Sequence, residues 1–118
     1  MEVINVEKAV KLMDGDQQLF CDLFDIIETS LPEKYRNVQK ALDTESSSNL
    51  ELYAHQFKGA MRNVAAEEAC AVLEKLEKCG SRGDFAQARE LFPLVQPAVD
   101  KVFEVYRSRN WVSAFQRG

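Results

Sequence analysis

Apolar residues recur along this chain at every third or fourth position in five runs, with no sustained alternation in twos. That period predicts helices and no sheet. The first run is short, with Val6, Ala9, Val10 and Met13 on one side of a helix from Val6 to Met13, ended by Asp14-Gly15-Asp16. Asp16 is placed to cap the second helix, Gln17 to Asp43, whose stripe is Phe20, Leu23, Phe24, Ile27, Leu31, Tyr35, Val38 and Leu42. Such a helix spans roughly 40 Å. Pro32 lies inside it and predicts a kink or a local break, because proline lacks a backbone donor and crowds the preceding turn.

The polar run Thr44 to Asn49 is a loop in which Ser48 or Asn49 caps a third helix, Leu50 to Val64. Its packing stripe is Leu50, Tyr53, Ala54, Phe57, Ala60, Met61 and Val64. Glu67 and Glu68 suit the start of a fourth helix, whose stripe of Ala66, Ala69, Cys70, Leu73 and Leu76 ends at Gly80. Gly80 to Asp84 is a tight connection, with Asp84 capping the last long segment. That segment carries Phe85, Ala88, Phe92, Val95, Val99, Val102, Phe103 and Tyr106, and Pro93 and Pro97 predict that it kinks or restarts after Pro93. Trp111 and Phe115 either extend it or cover an end of the assembly. Each stripe covers only one side of its helix, so the four long segments must share an interior. The expected fold is all-α: an antiparallel up-down four-helix bundle with a short additional N-terminal helix, as a single domain over residues 1–118.

Composition narrows the function classes. A chain of 118 residues has room for one core of normal size. A net charge of −4 and a pI near 5.0 argue against nucleic acid as a partner, which calls for a basic patch. No apolar run approaches the ~20 residues of a membrane span, and MEVINVEKAV has neither the basic nor the apolar region of a signal peptide. A cytoplasmic protein is expected. Cys21, Cys70 and Cys79 are odd in number and lack metal-type spacing, so they read as small buried hydrophobes in a reducing compartment.

The third helix carries the sequence's candidate chemistry. His55 is the only histidine, and at helical spacing it shares a face with Lys58, Gly59 and Arg62, off the packing stripe. An exposed imidazole that accepts a phosphoryl group needs nearby cations and small neighbours that admit another protein's active site. Lys58 and Arg62 lean back toward the ring, and Gly59 leaves the patch beside it uncovered. Glycine costs a helix interior ~1 kcal/mol relative to alanine, so it needs a reason. Close helix packing is an alternative reason, and a solvated face is an alternative reading of the two cations. Leu52, one turn before His55, is a candidate docking contact or a half-buried residue at the edge of the stripe, and Gln56 a candidate partner contact.

The stretch Ala54-His55-Gln56-Phe57-Lys58-Gly59-Ala60 resembles the His-x-x-Lys-Gly signature of histidine-containing phosphotransfer (HPt) domains. The resemblance spans nearly the whole chain. Gly15-Asp16 is similar to the start of that family's second helix, Leu73-Glu74 and Leu76-Glu77 to the Leu-Glu of its fourth, and Gly80 to Asp84 to its link to the last. It implies a four-helix bundle that takes a phosphoryl group from one receiver-domain aspartate and passes it to another. His55 is then the phosphoacceptor through Nε2, Lys58 stabilises phosphate and Gly59 gives access, while Arg62 is a candidate phosphate contact by spacing alone. Implied partners are response-regulator receiver domains and a hybrid histidine kinase, with this chain a monomer. No cofactor is implied, since the partner receiver brings Mg²⁺. The chain shows no Gly-rich nucleotide loop and no kinase core, so it reads as a carrier and not an enzyme. The competing class is a helical adaptor that binds a receiver or kinase without carrying phosphate. A metal-binding bundle would need more than one histidine and no metal site is expected. The chain departs from the family where a glycine usually stands ten residues after the histidine. Ala65 occupies that position, and alanine tolerates φ > 0 poorly, so the turn is expected to use another geometry, with Asn63 left-handed.

Overall fold

The computed structural model describes residues 1–117; Gly118, the last residue of the expected single domain, lies outside them. Among the described residues seven helices follow one another: α1 (Val6–Leu12), α2 (Gln17–Asp43), α3 (Ser47–Asn63), α4 (Glu67–Arg82), α5 (Phe85–Leu91), α6 (Val95–Ser108) and α7 (Val112–Arg117), with a 3₁₀ turn at Phe92–Leu94. No strand occurs among the described residues. α2, α3, α4 and α6 form the bundle, α1 and α7 close one end of it, and the whole measures 47 × 26 × 21 Å. The four predicted stripes meet inside: Phe20, Phe24, Val38, Leu50, Ala54, Phe57, Met61, Leu73, Leu76, Val99 and Val102 are all buried.

Helix ends follow local chemistry. The Asp16 side chain accepts from the Leu19 N–H at 3.0 Å, and that of Asp84 from the Gln87 N–H at 3.1 Å, each satisfying a donor the helix leaves open. The cap of α3 is Ser46, accepting from the Asn49 N–H, and not Ser48 or Asn49. The chain turns earlier than expected because Glu45 is left-handed, at φ 49°. α2 runs through Pro32 without the expected break. The proline lies on the exposed side, with the flanking turns packed on the core through Ile27, Leu31 and Tyr35. After α5 the chain restarts as expected: Pro93 sits in the 3₁₀ turn, and Pro97 falls in the first turn of α6, where its missing donor would have had no partner.

Two turns differ from expectation in the same way. α4 passes through Gly80 and ends two residues later, closed by Gly83 at φ 68°. At the end of α3 it is Ala65, not Asn63, that is left-handed, at φ 57°. The Ala66 N–H reaches the Met61 carbonyl at 3.0 Å and the Ala65 N–H that of Arg62 at 3.0 Å, the paired bonds of a Schellman ending. A third bond, from the Asn5 N–H to the Ala65 carbonyl at 2.8 Å, ties α1 to this turn. These bonds hold an alanine where the backbone favours glycine.

α6 stops at Arg109, left-handed at φ 59°, so Phe115 lies on a separate short helix with Trp111 in the turn just before it, and both cover the bundle end. Trp111 is buried, donates Nε1–H to the Tyr106 carbonyl at 2.8 Å, and stacks on Tyr106 at 5.6 Å between ring centres. Of the cysteines, Cys79 is buried and Cys21 and Cys70 are half-buried, and all three are free thiols.

Candidate functional site

α3 and α4 approach so closely that a methyl group on Gly80 would lie 2.8 Å from the Cα of Glu51. The Ser47 hydroxyl donates to the Gly80 carbonyl across the same contact. Glu77 lies one turn before Gly80 on α4, and His55 one turn after Glu51 on α3. The close approach therefore brings the Glu77 carboxylate against α3. Its Oε2 stands 3.0 Å from His55 Nδ1, and its Oε1 2.7 Å from the Lys58 ammonium.

Exposure divides the three groups. The side chain of His55 is 58% exposed, that of Glu77 21% and that of Lys58 12%. Helical spacing sets Lys58 on a solvated face; instead its side chain is largely covered and its ammonium pairs with Glu77. Gly59 has nothing within 4 Å of where a side chain would begin, so close packing does not explain it. Leu52 is 48% exposed, so about half of it is covered and the rest is open apolar surface, and Gln56 is exposed too. Arg62 is exposed, stands outside the cluster and forms no ion pair among the described residues.

Glu77 is the residue whose part the sequence reading missed. In the sequence it stands out only as half of a Leu-Glu pair, although an acid beside the seam of Leu73, Leu76 and Gly80 signals a carboxylate in need of cations. Burial pushes its carboxyl up, but the Lys58 ammonium and the His55 N–H outweigh that and hold it below the ordinary carboxylate value of 4.5. A carboxyl lowered on folding adds stability that is complete above its unfolded value and is lost as pH falls through its folded one. The stability difference between the native chain and Glu77→Gln is thus expected to be constant from neutral pH down to about 5 and to shrink below about 4.5. Denaturant unfolding across that range checks it; a difference that grows on acidification would contradict the assignment.

The arrangement fixes the imidazole's chemistry. A carboxylate only accepts, so Nδ1 carries a proton, and in the neutral ring the lone pair is then at Nε2. The site is an oriented, exposed imidazole with a cation one turn away. Its single carboxylate is already paired with Lys58, and no group of three potential metal ligands occurs among the described residues. Nor is any helix there long and apolar enough to cross a membrane.

An all-helical bundle presenting one oriented histidine defines a class of carrier domain, and the family comparison agrees. The Hpt domain model matches residues 22–106, from early α2 to late α6, and the chain belongs to that family: it is a histidine phosphotransfer protein of the phosphorelay type. Among solved structures it is similar to the crystal structure of histidine-containing phosphotransfer protein B (HptB) from Pseudomonas aeruginosa PAO1. The match covers 98% of this chain and 96% of that one, with a TM-score of 0.79 and 21% identity, and bears on the fold. No curated protein matches the chain. Domains of this family are carriers without a kinase core or a cofactor of their own, and they interact with receiver domains and histidine kinases.

Proposed function

We propose that His55 takes a phosphoryl group from the aspartyl phosphate of one receiver domain and returns it to the aspartate of another. The observation that carries this reading is the hydrogen bond from Nδ1 to Glu77, which in the neutral ring sets the lone pair at Nε2, on a side chain more than half exposed. In the forward step the Nε2 lone pair attacks phosphorus in line, the N–P bond forms, and the acyl phosphate P–O bond breaks with its electrons leaving on the aspartate. The ring acquires positive charge while Nδ1 keeps its proton, and the Glu77 carboxylate stabilises that cation. The second transfer reverses these events. Mg²⁺, which neutralises charge on the group in flight, belongs to the receiver in this scheme.

Lys58 has two tasks in this scheme. In the resting protein it neutralises Glu77, and on phosphorylation its ammonium is one turn from a dianion that outcompetes a shared carboxylate. Gly59 keeps the approach open, and Leu52 and Gln56 are the exposed residues of the same turn that a docking receiver meets. Lys58→Ala is expected to slow transfer about a hundredfold. It also costs about 1–3 kcal/mol of stability, because it leaves the Glu77 carboxylate short of a partner. Single-turnover transfer and a denaturant titration measure the two effects, and a variant that transfers at the native rate would contradict the role. Incubation with a phosphorylated receiver tests the reading as a whole: acid-labile, base-stable phosphate should appear on the chain.

A further inference from the structure

Between α4 and α5 lies a groove of about 420 Å³ that the His55 site does not use. Lys75, Lys78 and Arg82 line it along α4, and Asp84 and Gln87 close it, over a floor of buried Cys79 and Leu91. The three cations are exposed, and none has a carboxylate at ion-pair distance among the described residues. Glu74, one turn before Lys78, lines a different cavity beside α1. Asp84 is the one acid in the walls of the groove, and its carboxylate is engaged by the Gln87 N–H at 3.1 Å. Three cations against one carboxylate leave two positive charges over, on a chain whose net charge is −4. Arg82, in the last turn of α4, suits the negative end of the helix dipole, but that effect fades within a turn and leaves Lys75 and Lys78 unexplained. Burial pushes the Cys79 thiol up, the Asp84 charge adds to that, and the Arg82 guanidinium pulls against both, so Arg82 turns in over the floor.

The spacing of the cations selects the kind of anion. Steps of three and four residues root them in a line over roughly 10 Å of helix. A line suits charges carried along a chain, where a single compact phosphate suits a ring of donors. An extended polypeptide sets alternate side chains on one side roughly 7 Å apart, close to the roughly 5–6 Å between successive cations. A nucleic acid or an anionic membrane reaches past the groove and meets a chain of net charge −4, which repels it. We propose that this groove docks an extended acidic segment of a partner polypeptide, with two carboxylates at alternate positions seated along Lys75, Lys78 and Arg82. Around α4 these side chains point roughly 100–160° away from that of Glu77, so the segment binds while His55 stays open.

The probe is a synthetic peptide, Gly-Ser-Glu-Ser-Glu-Ser-Gly, blocked at both ends and titrated into the ¹⁵N-labelled full chain. Saturable shifts are expected in the amide signals of Lys75, Lys78, Arg82 and Gln87, with the ring signals of His55 unmoved. Lys78→Glu and Arg82→Glu are each expected to weaken binding about tenfold. Lys78→Gln, which keeps a polar side chain at an exposed position, gives a smaller loss in the same direction. The same peptide with Gln for Glu should shift nothing. Absence of saturable shifts overturns the proposal, as does equal binding of the Gln peptide or equal affinity for all three variants. Inorganic phosphate that saturates the same signals at lower concentration than the peptide overturns the choice of a polypeptide. So do phosphatidylglycerol vesicles that bind the native chain, but not the reversed variants, more tightly than the peptide does. His55 signals that move with the peptide overturn the separation of the two surfaces.

Discussion

His55→Gln is expected to leave no detectable phosphoryl label on the chain after incubation with any phosphorylated receiver, while the bundle melts within a few degrees of the native protein. Both halves follow from the site. His55 is the only histidine, and an amide nitrogen has no lone pair free to attack phosphorus. Structurally the ring is more than half exposed and its one polar contact is Glu77, to which a glutamine amide can also donate. An exposed pair of this kind is worth about 1 kcal/mol or less. Label surviving in the variant would place the acceptor elsewhere and dissolve the account of the site.

The second large effect concerns stability and reaches the site through geometry. Gly80→Ala is expected to destabilise the chain by about 3 kcal/mol, because the new methyl meets the backbone of Glu51 and not a side chain that can swing away. Only a shift of whole helices relieves that contact. Since Glu77 precedes Gly80 by one turn, separation of α3 and α4 also lengthens its bonds to His55 and Lys58. Transfer should therefore slow in a variant that touches none of the three. Gly59→Ala is the contrast: with open space around it, the same methyl leaves stability unchanged or slightly improved through helix propensity. Urea unfolding of the two variants side by side checks this, and equal losses would contradict the assignment of one glycine to packing and the other to access.

These two glycines also show what was legible in the sequence. Period and capping residues were enough to place α1 to α4 within a few residues, because apolar stripes and caps such as Asp16 are local signals. His55 stood out by its place off the stripe. Which glycine allowed close packing was not legible, since Gly59 and Gly80 both interrupt helical runs and only the α3–α4 register separates them. The same register concealed Glu77, whose partners lie 19 and 22 residues away on another helix. It also misplaced Lys58, which helical spacing alone sets on an open face. The turn at Ala65 resisted for a different reason: its left-handed backbone is held by bonds from Asn5, Ala65 and Ala66, which override alanine's own preference.

The central claim is that phosphate enters at Nε2 of His55 because Glu77 keeps the proton on Nδ1. NMR of the chain labelled with ¹⁵N in its one histidine, recorded after transfer from a phosphorylated receiver, reads both nitrogens at once. The account predicts phosphorus coupling to Nε2 and a protonated Nδ1. Phosphorus bonded to Nδ1, or an imidazole unchanged while the chain carries phosphate, would contradict it.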